Sequence, residues 1–200
     1  MMISQIIEKP ATAAEALGAA FVQDPFMSYV FPNNETRERQ LTRLFATVLQ
    51  CSDRNGGTEV ASTKEGSLAW ISGKNFPLST VSQIQSGLIW TPFTMGLSAF
   101  GRLISHESYC EHQVALRASK GFAYLWVLGI HPCARGKGLA KDLVFSALAR
   151  MKKEGHSACW VRTDSEKNLS FYQHLGFEKI DSGIAPKSQL PYWLFAKDLL

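Results

Sequence analysis

The segment FAYLWVLGI, Phe122–Ile130, constrains the fold more than any other part of the chain. A strand-length run of aromatic and branched apolar residues, closed by His131 and Pro132, predicts a central strand covered on both faces. Directly after it, Arg135, Gly136, Lys137, Gly138, Leu139 and Ala140 lead into a run whose Leu139, Leu143, Val144, Ala147, Leu148 and Met151 share one helical face. Strand, glycine-rich turn and helix in that order outline an anion cradle. Free N–H groups at a helix start point outward with the positive end of the dipole, and glycines let a phosphate approach the backbone. Arg135 and Lys137 add positive charge beside it.

Two nucleotide-binding patterns fail on these residues. A P-loop needs a glycine where His131 stands and a serine or threonine where Gly138 stands. A dinucleotide fingerprint needs a third glycine at the position of Lys141. Residues 135–140 do resemble the pyrophosphate-binding signature of GNAT acetyltransferases, Q/R-x-x-G-x-G/A, with Arg135, Gly138 and Ala140 in its specified positions. Residues 127–132, VLGIHP, are similar to that family's fourth strand, and residues 168–177, NLSFYQHLGF, to its N-x-x-F-Y-x-x-L-G-F ending. The resemblance covers residues 122–177 well, and the N-terminal helices only in outline.

The resemblance implies an acyl-CoA-dependent N-acetyltransferase, with acetyl-CoA as co-substrate and a small-molecule or peptide amine as acceptor. It implies that Leu128, Gly129 and Ile130 offer main-chain groups to the pantetheine arm, and that residues 135–140 hold the pyrophosphate. Asn168 matches a position that hydrogen-bonds pantetheine, although an asparagine at a helix start also serves as an N-cap. Tyr172 matches the position whose phenol protonates the departing thiolate, its bland alternative being a packing tyrosine. The implied architecture is α+β, a single GNAT-like domain over residues 1–200. A central mixed, mostly antiparallel sheet of six to seven strands is flanked by helices, with a helical insertion before the fourth strand. Residues 1–120 would form mainly the acceptor side and residues 121–180 the acyl-CoA-binding core. A catalytically silent module that keeps the acyl-CoA cradle is the competing reading.

The general base is not legible, because FAYLWVLGI carries no carboxylate where some family members have a glutamate. His106, Glu111 and His112 precede that strand, and exposed helix positions are the plainer expectation for them. Cys133, close to the loop, has no recognisable histidine partner in sequence. Trp70, Trp90, Phe93, Phe100 and Tyr109 lie where the family builds its acceptor pocket, yet aromatics at such spacing usually fill cores.

Elsewhere the chain predicts a short strand at residues 3–7, a helix after Thr12 and Glu15, and a longer helix capped within residues 34–36. A hairpin follows over residues 59–62 and 67–72, then helices within residues 77–119. Residues 158–162 read as a strand, 168–175 as a short helix, and 177–180 with 192–195 as closing strands. With 200 residues, 46% of them hydrophobic, one core is expected. The net charge of +4 is scattered rather than clustered, so nucleic-acid binding is not expected. The cysteines, Cys51, Cys110, Cys133 and Cys159, have neither disulfide-scaffold nor zinc spacing, so reduced thiols and no metal are expected. No signal-like start and no run of about 18 apolar residues is visible, which predicts a cytoplasmic protein without a membrane anchor. Apolar residues between positions 90 and 104 offer a surface for a homodimer.

Overall fold

The computed structural model describes residues 12–200, so the strand expected at residues 3–7 lies outside the described residues. Thr12 starts helix α1, Ala13–Phe21, through the anticipated capping box. Its hydroxyl accepts from the Glu15 N–H at 3.2 Å, and the Glu15 carboxylate accepts from the Thr12 N–H at 3.1 Å. A second helix was not foreseen: α2, Pro25–Val30, is capped by Asp24, which accepts from the Met27 N–H at 3.0 Å, with Pro25 in the first turn. Helix α3, Asn34–Asn55, is capped by Asn33 and not from within residues 34–36. Buried Arg37 donates to the carbonyls of Phe31, Val22 and Pro32 at 2.6, 2.9 and 3.1 Å. That one guanidinium fixes both ends of α2 against α3.

Strands β1, Gly56–Val60, and β2, Gly66–Ser72, form the expected hairpin. The helical insertion comprises α4, Thr80–Gln85, α5, Thr91–Met95, and the long α6, Leu97–Ala115. Then follow β3, Phe122–Ile130, α7, Leu139–Lys153, β4, Ala158–Thr163, α8, Leu169–His174, β5, Glu178–Ile184, and β6, Pro191–Asp198. The six strands of the described residues make one mixed sheet in the order β1-β2-β3-β4-β6-β5. Only β3 and β4 run parallel, and α7 provides the crossover that a parallel pair needs. This is the α+β, mostly antiparallel architecture that the sequence implies.

The strand alternation decides which helix each side chain meets. Ala123 and Leu125 of β3 pack with Val144, Ala147 and Met151 of α7, while Phe122 and Tyr124 join Cys110 and Val114 of α6. The alternation breaks at Trp126. Ala69 pairs with Val127 and Trp70 with Leu125, leaving Trp126 as the extra residue of a β-bulge. Beyond it the parity flips, so that Val127 joins the α1 and α3 cluster and Leu128 and Ile130 turn to the α7 side. Among the described residues no helix is long and apolar enough to cross a membrane.

Candidate active site

The same place in β3 is where the sheet opens. Pairing between β3 and β4 runs only from Phe122 and Ala158 to Leu125 and Val161, although β3 continues to Ile130. On its other side β3 remains paired with β2 as far as Ile130. Among the described residues, residues 126–130 therefore have one main-chain edge without a neighbouring strand, a template that an extended ligand can occupy.

Two cavities lie along that free edge. The larger, about 500 Å³, is lined by Leu128, Gly129, Ile130, Arg135, Ala140, Asn168 and Tyr172, seven of the residues singled out from sequence, together with Ala20, Phe21 and Asp24. The other, about 360 Å³, is bounded by Leu125 to Leu128 of β3, the inner face of α6 and the loop around α2. Phe21, Asp24, Leu128, Asn168 and Tyr172 line both cavities.

Gly136, Lys137 and Gly138 lie exposed at the mouth of the loop, and Leu139 is the first residue of α7. Gly136 and Gly138 have φ of +78° and +83°, and a side chain on either would meet no other atom of the protein. Their requirement is thus conformational, and the space above them is open. Exposed Arg135 donates to the Ala20 carbonyl at 3.1 Å, which ties the loop to the end of α1. The absent side chain of Gly129 has a different reason from ligand approach. A Cβ there would come within 2.7 Å of Leu17 and 3.1 Å of Ala20, so the glycine is needed for α1 to pack against β3.

Asn168 precedes α8 without giving it a side-chain cap. Its amide instead donates to the Thr163 hydroxyl at 3.0 Å, holding the loop to the end of β4. Tyr172 is 6% exposed, with its ring among Phe171, Phe177 and Phe195. Burial raises its phenol above the ordinary range, so at neutral pH it holds its proton.

The smaller cavity has two unlike ends. Along α6 the residues that reach it recur at helical spacing, with Phe100, Leu103 and Ile104 in the first half and Glu107, Ser108 and Glu111 in the second. Phe26, Met27, Phe45, Val48 and Trp126 complete the apolar end. At the polar end Arg162 is gripped by Glu107 at 2.6 and 3.1 Å and by Asp164 at 3.2 Å. The Glu111 carboxylate has no hydrogen bond or ion pair among the described residues. Burial, and then the neighbouring Glu107 charge, push its carboxyl up to about 7. Burial, with the Asp164 charge adding to it, pushes Asp24 up to about 6.

Several expectations change here. His106 is fully buried and not exposed. Its ring contacts Asp164 at 3.3 Å, Ser188 at 2.7 Å and the Cys110 sulfur at 3.6 Å. Glu111 is half-buried in the cavity wall, whereas His112 is exposed as expected. Cys133 does have a histidine beside it, since its sulfur lies 2.9 Å from Nδ1 of His131 in the turn after β3. Of the aromatics, Phe100 lines the cavity, Trp70 is core beneath α7, and Tyr109 packs on Tyr192. Trp90 and Phe93 point outward, 62% and 78% exposed. Asp24, Glu107, Arg162 and Asp164 were not anticipated. An aspartate directly before Pro25 is a helix-start signal that could have drawn attention to Asp24; nothing local marks the other three.

Residues 97–177 match the family model described as Acetyltransferase (GNAT) family. Over 52 residues the chain is 40% identical to the uncharacterized N-acetyltransferase YjgM of Escherichia coli (strain K12), covering 25% of this chain and 31% of that protein. Over 60 residues it is 37% identical to a mycothiol acetyltransferase of Renibacterium salmoninarum, covering 29% of this chain and 18% of that protein. The chain thus spans less than a third of the length of these curated relatives. Among solved structures, an agmatine N-acetyltransferase in its apo form aligns over 92% of this chain and 94% of that one, with a TM-score of 0.53 at 13% identity, a likeness of fold.

Proposed function

We propose, from the match of residues 97–177 to the GNAT family model and from the shape of the site, that the chain is a GNAT acetyltransferase that transfers an acetyl or short acyl group from CoA to a primary amine by direct attack. The observation that carries this reading is the meeting of two cavities at Tyr172, Asn168 and Leu128 on the free edge of β3. A thioester laid in the larger cavity and an amine in the other converge there.

In this reading residues 121–180 hold the co-substrate, acetyl-CoA, and most of the acceptor wall comes from residues before 120. Main-chain groups of Leu128, Gly129 and Ile130 pair with the pantetheine amides as a strand would. Gly136, Lys137, Gly138, Leu139 and Ala140 take the pyrophosphate on free N–H groups at the start of α7, with Arg135 and Lys137 supplying charge. Asn168, tied to Thr163, positions the arm beside α8. Tyr172 is the general acid. Its buried phenol retains its proton until the amine has attacked the carbonyl, and then gives it to the departing thiolate sulfur.

The acceptor cavity favours an amine carried as a cation on an apolar body. Four carboxylates, Asp24, Glu107, Glu111 and Asp164, face one guanidinium, Arg162, while the far end is hydrocarbon. That the agmatine enzyme of like fold is named for a cationic acceptor agrees with this choice, without identifying the substrate. Exposed Trp90, Phe93 and Leu97 would support a homodimer, and the unpaired cysteines suit the cytoplasm.

The test is calorimetric titration with acetyl-CoA and with CoA fragments lacking the pyrophosphate, followed by a thiol-release assay on a panel of cationic amines. Binding that weakens without the pyrophosphate, with thiol release dependent on amine, is the expected result. Tight binding with no turnover on any amine would instead favour a silent acyl-CoA-binding module.

A further inference from the structure

The transferase reading leaves one proton without a destination. An amine bound as its ammonium ion has no lone pair for attack, and β3 carries no carboxylate to take the proton. We infer that Asp24 is the proton acceptor of the transfer reaction, acting from the boundary that the two cavities share. The inference rests on the proposed transferase function.

Position sets Asp24 apart from the other carboxylates. Asp24, Glu107, Glu111 and Asp164 all line the acceptor cavity, but only Asp24 lines the larger one as well, alongside Tyr172, Leu128 and Asn168. A base must reach the nitrogen while that nitrogen is within bonding distance of the thioester carbon, so the shared boundary is where it is needed. Glu107 and Asp164 are committed to Arg162. Glu111 faces only the acceptor cavity, which suits it to hold the ammonium group and not to act at the junction.

Asp24 is also rigidly held. Asp24 caps α2, whose first turn holds its carboxyl through the Met27 N–H at 3.0 Å, and Arg37 fixes the segment on both sides of it. The groups around it set its affinity for protons. Burial and the Asp164 charge raise it, while Arg162 and the backbone donors of α2 lower it, leaving the carboxyl at about 6. Glu107 and Glu111 of α6 share its cavity, and Arg135 and Lys167 share the other. A carboxylate at this level is ionised at neutral pH and still basic enough to take a proton from a crowded ammonium.

The proton balance then closes. Asp24 takes one proton from the ammonium, and the freed lone pair forms the C–N bond. The C–S bond breaks as Tyr172 protonates the sulfur, and the second proton of the new nitrogen returns to the Tyr172 oxygen. Asp24 releases its proton to solvent, so each turnover yields one amide, one CoA thiol and one proton.

The discriminating variant is Asp24→Asn, because asparagine caps a helix as well as aspartate and preserves the Met27 contact. The probes are acetyl-CoA with 2-phenylethylamine, a cation at neutral pH, and with aniline, which is mostly uncharged there. The expected result is a kcat loss of about 100-fold or more for 2-phenylethylamine, disappearance of the rising limb of kcat near pH 6, and a much smaller loss for aniline. Acetyl-CoA affinity should stay as in the wild type, and the melting temperature at pH 7 should not fall, because a carboxyl whose proton affinity burial has raised destabilises the fold when ionised. Equal losses for both amines, or an unchanged pH limb in an active variant, would overturn the assignment while leaving the transferase reading intact. A wild-type protein inert toward both probes and the wider amine panel would overturn both. Independently of any acceptor, a carboxyl NMR titration of wild type against Asp24→Asn should find Asp24 near 6, and a value near 3.8 would sink the proposal.

Discussion

The two halves of the site are built on different principles. In the proposed reading the co-substrate side is mostly one stretch, β3, its loop, α7, β4 and α8, closed by Ala20, Phe21 and Asp24, and it would work mainly through main-chain groups: a free strand edge, two left-handed glycines and a helix start. In the same reading the acceptor side is assembled from the α2 loop, α3, the inserted helices and the end of β4, and it would work through side chains. A main-chain site tolerates change except where the backbone conformation or the open space is touched. A side-chain site depends on charges that have meaning only together.

Sharpening that contrast begins where the two halves meet. Tyr172→Phe should lower kcat by about 10²- to 10⁴-fold, the range for loss of a general acid, with acetyl-CoA affinity nearly kept. Steady-state kinetics beside calorimetry separate the two readouts, and unchanged turnover would leave Tyr172 as a packing residue only.

The acceptor half should be the more fragile in stability. Arg162→Met leaves Glu107 and Asp164 without their shared counter-charge in a largely buried site, at an expected cost of about 3–5 kcal/mol in denaturant unfolding. A cost close to zero would mean that solvent reaches the pair and that the cavity is wetter than its lining suggests.

On the co-substrate side, Gly138→Val forces a branched residue to φ of +83° at a position where it meets no other protein atom. The stability cost should be only about 1–2 kcal/mol, whereas acetyl-CoA binding should weaken at least tenfold. A folded variant with full affinity would remove the loop from the phosphate site.

Glu111→Gln should have the smallest effect, about a tenfold rise in KM for a cationic amine, as expected for one charge-assisted hydrogen bond. Wild-type KM should fall as pH rises through about 7 and Glu111 ionises, and the variant should lose that dependence. The stability sign is opposite. A carboxyl raised from 4.5 to about 7 makes the folded state bind more protons than the unfolded one, so stability declines across that interval. Thermal melts between those pH values should show a shallower decline in the variant.

Legibility in the sequence followed the same division. The apolar run of β3, the loop from Arg135 to Ala140 and the segment from Asn168 to Phe177 are local patterns, because an apolar strand, a positive φ and a helix start are properties of consecutive residues. The hairpin, the long α3 and the closing strands were legible for the same reason, since burial periodicity is local. Helix α2 was missed because its six residues are too few to show a period, although Asp24 and Pro25 mark its start.

Tertiary structure alone decided the rest. Glu107, Arg162 and Asp164 converge from α6 and β4, elements whose meeting is dictated by the sheet order and by the parting of β3 from β4. The reason that Gly129 is a glycine depends on α1, more than 100 residues away in sequence, lying across it. His106, two residues from exposed Ile104 and Ser108 on α6, is buried because its face of the helix turns inward beside Phe26 and Asp164. Sequence determined where backbone shape makes a binding surface, since shape is set by neighbours along the chain. Only folding decided which charges share a cavity, since Coulomb energy and desolvation depend on distance and burial in space.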